Sequence, residues 1–439
     1  MRRKRGALVA ACLLLALAGC STSVGGVAAP AVTLSPVVPL KVEGQPAWGA
    51  EQVGVPGLQA VQFGTDIAVV MGSATWPSTD AAIAGVDLAT GTVRWSYADY
   101  AELVGGDGAG YVGGTVAWGN LARIVSVGGD SADQLVVVTY LTTTCTDASG
   151  FCPSSGSDVT DAYGIAALTP TDGSVRWKAP MVPAVPGDSP EADKTRGQRA
   201  VLVDADAAGV LVLVGDGTDI DSPSATGAET VRTVLLDPAT GAVRWEAPGA
   251  RGSRLIGDQV LAAVANGGPT IKDLGALDAR TGALRWAVTA SFPNDRVAAA
   301  AGDTAILLVT HDTARALQPL DLSDGSPVGD AVPVTFTGTC LDDRTTLIAC
   351  GPADDERMLV WTGTPGPPTS SAFGLPDASQ LQLVTADHVF AGDGDSSQAF
   401  TVDGQAAGDP LPGRTVAMDD RYLAIETTPG GGWAVYRLR

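Results

Sequence analysis

The sequence predicts an all-β fold assembled from repeated β-hairpins. Four segments share a pattern of Asp or Thr, a turn with glycine, and a tryptophan: VDLATGTVRW (86–95), LTPTDGSVRW (168–177), LDPATGAVRW (236–245) and LDARTGALRW (277–286). Glycine and proline are abundant, at 55 and 28 residues, and amphipathic helical stretches are nearly absent. Repetition at wide intervals, turn-rich composition and the lack of a 3.6-residue period together favour a β-repeat architecture.

Each copy of the pattern predicts a strand, a tight turn and a second strand. A short apolar stretch such as TVLL (233–236) comes first, and alternation resumes after the glycine, so that Val93 and Trp95 share a face that Arg94 does not. Glycine supplies the left-handed backbone, and Asp or Thr beside it can bond the backbone locally. We interpret the intervening arginine as a solvated or blade-edge side chain.

The spacing of the copies predicts the blades of a β-propeller. Trp245 and Trp286 lie 41 residues apart, and weaker copies continue the series at 320–329, 357–368 and 401–408. A period of about 40 to 50 residues with four strands is typical of propeller blades.

The two chain ends predict how the ring closes. VEGQPAW (42–48) supplies an outer strand with no partner before it, and GGWAVYRLR (431–439) supplies inner strands with no outer one. Joining them completes one blade and removes the exposed edges. Outer strands near residues 48, 95, 177, 245, 286, 329, 370 and 408 predict eight blades; seven is the alternative if 357–374 is a loop.

The pattern D-x-x-T-G-x-x-x-W at this spacing resembles the repeat of pyrroloquinoline-quinone-type β-propellers. That family includes quinoprotein alcohol dehydrogenases and the outer-membrane assembly lipoprotein BamB, and the resemblance covers residues 41–439. It implies that the motif turns between the third and outermost strands and that its tryptophan packs between neighbouring blades. The motif positions are Asp87, Gly91, Trp95, Gly173, Trp177, Asp237, Gly241, Trp245, Asp278, Gly282 and Trp286.

The resemblance transfers the blade motif and none of the family's active site. Its enzymes carry adjacent cysteines over the cofactor, a catalytic aspartate, and Glu and Asn ligands for calcium, whereas this chain has no adjacent cysteine pair. We therefore predict no catalytic, cofactor-binding or metal-binding residue and no cofactor. A pyrroloquinoline-quinone-dependent dehydrogenase is the less favoured alternative.

Other catalytic signatures are also missing from the sequence. The two histidines, His311 and His388, belong to no H-E-x-x-H, and there is no G-x-S-x-G. HDTAR (311–315) as a catalytic dyad competes with an ordinary surface loop. The acidic stretches GDGTDID (215–221) and GDGDS (392–396) lack a complete calcium loop, so turn chemistry is favoured over calcium binding.

The amino terminus predicts export and a lipid anchor. Four basic residues at 2–5 precede an apolar run too short to span a bilayer. Leu17-Ala18-Gly19-Cys20 then resembles the lipobox of bacterial lipoproteins, in which the cysteine is acylated. We predict a signal peptide at 1–19, lipidated Cys20 with a flexible tether over 20–40, and a propeller domain over 41–439. An ordinary secretory signal is the alternative.

Charge and cysteine usage restrict the partners further. The formal net charge is −21, and it becomes −25 once the four basic residues of the signal are removed. Such a chain is ill suited to nucleic acid or to an anionic lipid surface.

In an exported protein, the close pairs Cys145/Cys152 and Cys340/Cys350 predict disulfides, with a metal site as the rival interpretation.

These observations predict a non-catalytic, monomeric propeller, held outside the cytoplasm on the cell membrane by its N-terminal lipid. Its expected role is that of a protein-binding scaffold or envelope assembly factor with an envelope protein as partner. A receptor for solutes or glycans is the alternative. The insertions at 100–125, 141–160 and 181–200, where the repeat is broken, are the segments that we expect to confer specificity.

Overall fold

The structure, a computed structural model, describes most of the chain from Leu40 to Arg439. The gaps among the described residues are 44, 56, 74–80, 98–121, 128–132, 146–158, 183–197, 217–219, 221–230, 266–271, 290–295, 312–313, 335–338, 352–356, 373–379 and 428–431. All described residues belong to one compact unit, Val38–Arg439.

The first half of the ring consists of four antiparallel sheets, each with its strands in chain order. A short strand β1 (Trp48–Gly49) and a single helical turn α1 (Ala50–Val53) precede them. Blade 1 holds β2 (Gly57–Phe63), β3 (Ile67–Ser73), β4 (Ala81–Asp87) and β5 (Val93–Tyr97); blade 2 holds β6 (Ala122–Ser126), β7 (Gln134–Cys145), β8 (Val159–Leu168) and β9 (Val175–Val182). Blade 3 holds β10 (Gln198–Asp206), β11 (Gly209–Asp216), β12 (Arg232–Leu236) and β13 (Val243–Pro248); blade 4 holds β14 (Ala250–Ile256), β15 (Gln259–Ala265), β16 (Lys272–Asp278) and β17 (Leu284–Val288).

The second half repeats this plan and ends in a composite blade. Blade 5 holds β18 (Arg296–Ala301), β19 (Thr304–His311), β20 (Ala314–Asp321) and β21 (Val332–Val334); blade 6 holds β22 (Thr339–Asp342), β23 (Leu347–Gly351), β24 (Arg357–Thr362) and β25 (Thr369–Ala372). Blade 7 holds β26 (Gln380–Val384), β27 (Val389–Gly392), β28 (Ser396–Phe400) and β29 (Leu411–Pro412); blade 8 holds β30 (Arg414–Met418), β31 (Tyr422–Glu426), β32 (Trp433–Arg437) and β1. The described residues thus form an eight-bladed β-propeller, and the prediction of eight blades rather than seven is confirmed.

The ring closes where the sequence predicts. Strand β1 pairs antiparallel with β32, with Trp48 opposite Val435 and Gly49 opposite Ala434. An isolated bridge between Val42 and Leu438 extends the pairing. The first strand along the chain therefore completes the last blade, in which β1 is the outermost strand and covers the edge of β32.

The two ends of the blades differ in their connections. The end that carries the links from first to second and from third to fourth strands is called the turn face, and the opposite end the loop face. Antiparallel order places all four repeated turns on the turn face. The first described residue, Leu40, also lies on the turn face. Its amide donates to Ala407 O, in the turn between the third and fourth strands of blade 7, at 3.1 Å.

The hydrophobic core lies between neighbouring blades. One cluster joins Ile67 and Val69 of blade 1 to Val136 and Val138 of blade 2, and similar clusters recur around the ring. The second strand of a blade is covered on both faces, which explains its continuous apolar sequence, as in VLVLV (210–214) of β11, where every residue is buried.

Most inner strands contain a β-bulge at the same point. In β10 the register shifts between Leu202 and Asp204, and in β14 it shifts between Gly252 and Arg254. A bulge adds a residue and re-aims the side chains that follow it. In blades 3 and 4 the residue that directly follows the bulge is charged.

None of the helical residues that the structure describes forms a segment long and apolar enough to cross a bilayer.

Candidate functional site: the motif residues and the charged cluster of the inner strands

The four motif tryptophans each join one blade to the next. The indole Nε1 of Trp95 donates to Pro170 O in blade 2 at 2.7 Å, and that of Trp245 donates to Ala279 O in blade 4 at 2.9 Å. Trp177 and Trp286 make the same bond to Pro238 and Leu322. The acceptor in every case is a carbonyl in the repeated turn of the following blade, so the tryptophan acts as an inter-blade wedge.

The turn requires glycine for two separate reasons. Gly241 has φ of +70°, which a residue with a side chain rarely adopts. A Cβ atom at this position would also lie 2.4 Å from Cε3 of Trp177, the wedge from the preceding blade. The turn of one blade and the tryptophan of its neighbour therefore fit together only if the turn residue is glycine.

Two further tryptophans seal the junction between the last and first blades. Trp48 Nε1 donates to Leu88 O of blade 1 at 3.1 Å, and Trp433 Nε1 donates to Val55 O at 2.8 Å. The two indole rings meet edge to face, with centroids 5.8 Å apart. The degenerate copy at 42–48 thus retains the wedge where the ring must close.

The motif aspartate organises its own turn. One carboxylate oxygen of Asp87 accepts hydrogen bonds from the amides of Ala89 and Thr90, at 3.2 and 3.0 Å, and from the Thr90 hydroxyl at 2.8 Å. Asp237 and Asp278 repeat these bonds. This is the local backbone bonding that the sequence predicts for aspartate at the turn.

The motif arginine, which the sequence led us to interpret as a solvated or blade-edge side chain, bridges two carboxylates of its own blade in blades 1 and 4. In blade 1 the guanidinium of Arg94 donates to the second oxygen of Asp87 at 2.7 Å and to Asp66, in the turn between the first two strands, at 3.1 Å. Arg285 bridges Asp278 and Asp258 in the same way. The arginine clamps the two turns of its blade together, and this hydrogen bond from Arg94 lowers the pKa of Asp87 to about 2.

The remaining candidate residues carry no evident chemistry where they are described. His388 is buried beside Phe390, and burial lowers its pKa. Asp393 accepts bonds from the amides of Asp395 and Ser396, at 3.1 and 3.0 Å, which is turn chemistry. Cys340 and Cys350 form a disulfide. The predictions for Cys20, for Cys152 as the partner of Cys145, for the His311 side chain and for most of 215–221 fall outside the described residues.

A charged cluster on the inner strands was not predicted from the sequence. Its first centre is Asp204 of blade 3, whose side chain is 1% exposed. Asp204 forms ion pairs with Arg344 of blade 6 and, at 3.6 Å, with Arg123 of blade 2. Its second oxygen accepts the amide of Leu255 in blade 4 at 2.9 Å.

The second centre is Asp342 of blade 6, also 1% exposed. Asp342 forms an ion pair with Arg254 of blade 4 and accepts the amide of Ala300 in blade 5 at 3.2 Å. Asp342 Oδ1 also accepts a hydrogen bond from the backbone amide of Arg344 at 3.0 Å. The two carboxylates together connect the inner strands of five consecutive blades.

Burial shapes the electrostatics of this cluster. Desolvation and the nearby charge of Arg254 lower the pKa of Arg123 to about 10, and desolvation, aided by Arg123, lowers that of Arg344 to about 10 as well. Burial raises the pKa of Asp342, against the opposing effect of Arg254. Buried charges of this kind are tolerated only when they are paired, so the cluster is suited to joining strands.

The sequence signal for this cluster is weak. Arg123, Asp204, Arg254, Asp342 and Arg344 are scattered over four blades, and no local motif unites them. Asp204 follows the apolar run VLV (201–203) and Arg254 precedes Leu255 and Ile256, but the same two strands also carry the charges Asp206 and Arg251, so position alone does not single out the cluster. Across the described part of the chain, no group of three or more His, Cys, Asp or Glu side chains is arranged to hold a metal ion.

The geometry defines an eight-bladed β-propeller in which a repeated turn-and-tryptophan hairpin joins each of blades 1 to 4 to the following blade, and solved propellers resemble it. BamB from Moraxella catarrhalis matches at 14% identity over 91% of this chain and 99% of its own, with a TM-score of 0.46. The Dos1 propeller matches at 10% identity over 91% and 94%, with a TM-score of 0.46. A europium-containing methanol dehydrogenase matches at 12% identity over 90% and 93%, with a TM-score of 0.43.

No protein-family model matches the chain, and no curated protein matches it in sequence. The structural neighbours thus include both BamB and dehydrogenase propellers, and no activity or partner follows from them.

Proposed function

We propose that this protein is a non-catalytic, lipid-anchored, extracytoplasmic propeller that acts as a protein-binding scaffold, with an envelope protein as its partner. The observation that carries the proposal is the use of the charged residues at the centre of the ring. Asp204 and Asp342 bind arginines and main-chain amides of other blades. Because these carboxylates are occupied in holding blades together, we infer that recognition does not use them and lies at one end of the ring.

The arrangement of the ring supports one face for recognition. The short repeated turns and Leu40, the first described residue, lie on the turn face. The strand ends that flank 98–121, 146–158 and 183–197 all lie on the loop face, while these segments themselves are outside the described residues. The described strand ends of the loop face therefore flank the segments in which the sequence departs from the repeat, as expected of a scaffold whose frame is constant.

The lipid anchor is tested by substituting the acylated residue. In Cys20→Ala, we expect incorporation of a labelled fatty acid to be lost and the protein to leave the membrane fraction, because no thiol remains to be modified. Equal incorporation into the variant and the parent would contradict the anchor. A Cys12→Ala variant serves as a control, since Cys12 lies within the predicted signal and should not affect labelling.

The scaffold is tested by cross-linking in intact cells, followed by identification of the linked protein. Replacing 183–197 by a short Gly-Ser linker between β9 and β10 should abolish a cross-link seen with the parent while leaving the unfolding temperature nearly unchanged. Asp420→Asn, an 87% exposed site on the turn face, is the control and should retain the cross-link. Retention of the same cross-link in a set of loop-face replacements would contradict recognition by this face.

Two assays on the purified protein distinguish the scaffold from the alternative functions. Turnover of a dye by protein reconstituted with pyrroloquinoline quinone and calcium would favour a dehydrogenase. A saturable increase in unfolding temperature with sugars or peptidoglycan fragments, without a protein partner, would favour a receptor.

A further inference from the structure

One hairpin of the ring carries both the disulfide and two members of the charged cluster. The blade 6 hairpin comprises β22, the turn at 343–346 and β23. Cys340 and Cys350 lie directly opposite each other in its register and are joined covalently. The segment between them holds Asp342 and Arg344, so the disulfide closes the base of the element that presents these two side chains.

Both side chains contact blades that are not neighbours of blade 6. Asp342 pairs with Arg254 of blade 4, and Arg344 pairs with Asp204 of blade 3. Inner strands of successive blades adjoin one another around the ring, and blade 5 separates blade 4 from blade 6. In a closed ring, contacts that skip a blade run across the central channel. The hairpin therefore ties the inner strands of blades 3, 4 and 6 together through these ion pairs.

The turn of the hairpin is held in a conformation that an arginine seldom adopts. Arg344 has φ of +73° and is, among the described residues, the only non-glycine residue with positive φ. The carboxylate of Asp343 fixes the turn by accepting the amides of Thr345, Thr346 and Leu347 at 2.8 to 2.9 Å. A strained backbone persists where its surroundings impose it, and here the result is an arginine directed across the channel.

We propose that the blade 6 hairpin is a redox-sensitive tie across the ring, which holds the inner strands of blades 3 and 4 while Cys340 and Cys350 form a disulfide and loosens when they are reduced. A dithiol is the required reductant. Cys340 is less buried than Cys350, so the reductant's thiolate attacks Sγ of Cys340. The disulfide bond breaks, and Cys350 is released as a thiolate. The second thiol of the reductant then displaces Cys340, which leaves two protein thiols and an oxidised reductant, with two electrons transferred.

Loosening the hairpin has a consequence in a distant part of the sequence. Arg344 is the residue of this hairpin that holds Asp204, and Asp204 in turn accepts the amide of Leu255. Reduction in blade 6 therefore weakens protection in β10 of blade 3 and β14 of blade 4. If the disulfide stabilised only its own hairpin, reduction would change the protection of backbone amides in blade 6 alone.

Hydrogen–deuterium exchange on the folded protein distinguishes these cases. The protein carries Cys20→Ala, Cys145→Ala and Cys152→Ala, so that the Cys340–Cys350 disulfide is the one that dithiothreitol reduces, and mass spectrometry verifies the reduction. We expect exchange to accelerate on the order of tenfold in 339–351 and also in 198–206 and 250–256, because local openings set exchange rates. The outer strand β5 serves as an internal control and should not change.

Arg344→Ala is the matched variant for the coupling. In this variant, dithiothreitol should still accelerate exchange in 339–351 but should no longer affect 198–206. The proposal is overturned if dithiothreitol leaves the disulfide of the folded protein intact, if full reduction leaves 198–206 unchanged, or if the coupling survives in Arg344→Ala.

Discussion

At the scale of the residue, Gly241 shows how one position serves two blades. Its positive φ forms the turn of blade 3, and its missing side chain leaves room for Trp177 of blade 2. Gly257 also has positive φ, at +56°, but a Cβ there would meet no heavy atom within 4 Å. A side chain at Gly257 would therefore disturb only the backbone conformation, whereas a side chain at Gly241 would disturb both the backbone conformation and the packing between blades.

We predict that Gly241→Ala destabilises the protein more than Gly257→Ala does. The substitution at 257 should cost about 1–2 kcal/mol for a left-handed backbone with a side chain. The substitution at 241 should add about 1–3 kcal/mol, because the new methyl group forces the indole of Trp177 to shift. Denaturant-induced unfolding of the two variants measures the difference, and equal midpoints would show that the wedge does not press on the turn.

At the scale of the element, each motif hairpin is held by an acid–base clamp. The carboxylate of Asp87 uses one oxygen for its turn and the other for Arg94, which also reaches Asp66. The arginine thereby ties the third and fourth strands of the blade to the turn between its first two strands. In blade 2, Thr169 stands where blades 1, 3 and 4 have the motif aspartate, so the carboxylate of the clamp is missing at that position.

The clamp makes stability depend on acid pH. Because hydrogen bonds from Arg94 and, to a lesser extent, from Thr90 lower the folded-state pKa of Asp87 to about 2 from an ordinary 3.8, ionised Asp87 stabilises the fold above about pH 4. This contribution is lost as the pH falls from about 4 to about 2. Asp87→Asn should therefore be slightly less stable than the parent at pH 7, and the two should converge in unfolding temperature as the pH approaches 2.

Asp172→Asn is the control for this prediction. The pKa of Asp172 is lowered by hydrogen bonds from Ser174, with no arginine among the causes. Its substitution should therefore give a smaller difference from the parent at pH 7. A gap between Asp87→Asn and the parent that stays constant from pH 7 to pH 2 would argue against the Arg94 clamp.

The hairpins were predictable from sequence, whereas the clamp and the charged cluster were not. The turn, the glycine and the wedge recur within ten residues, so they leave a local pattern at 86–95 and its copies. Arg94 and Asp66 are separated by 28 residues, and Arg344 and Asp204 by 140. Such pairs depend on how strands stack around the ring, and one sequence without the fold contains no signal for which distant charges meet.

At the scale of the whole molecule, the ring depends on a small closing contact. Strand β1 is two residues long, and it is supplemented by the Val42–Leu438 bridge and by Trp48 and Trp433. The apolar clusters between blades continue across this junction, where Trp48, Val70 and Val435 share one cluster. Closure thus joins residues from opposite ends of the chain without a special element.

Closure of the ring is measured most directly by disulfide formation between residues that flank the first and last strands. In Val42→Cys/Leu438→Cys, we predict that oxidation links the two introduced cysteines within one molecule, because these positions bridge in the eighth blade. Val42→Cys/Val243→Cys, with the second cysteine on blade 3, should form no such link. Peptide mapping by mass spectrometry identifies the bond. An intramolecular link between the two chain ends at high yield supports the closed eight-bladed ring, and its absence, or links between molecules alone, would contradict it.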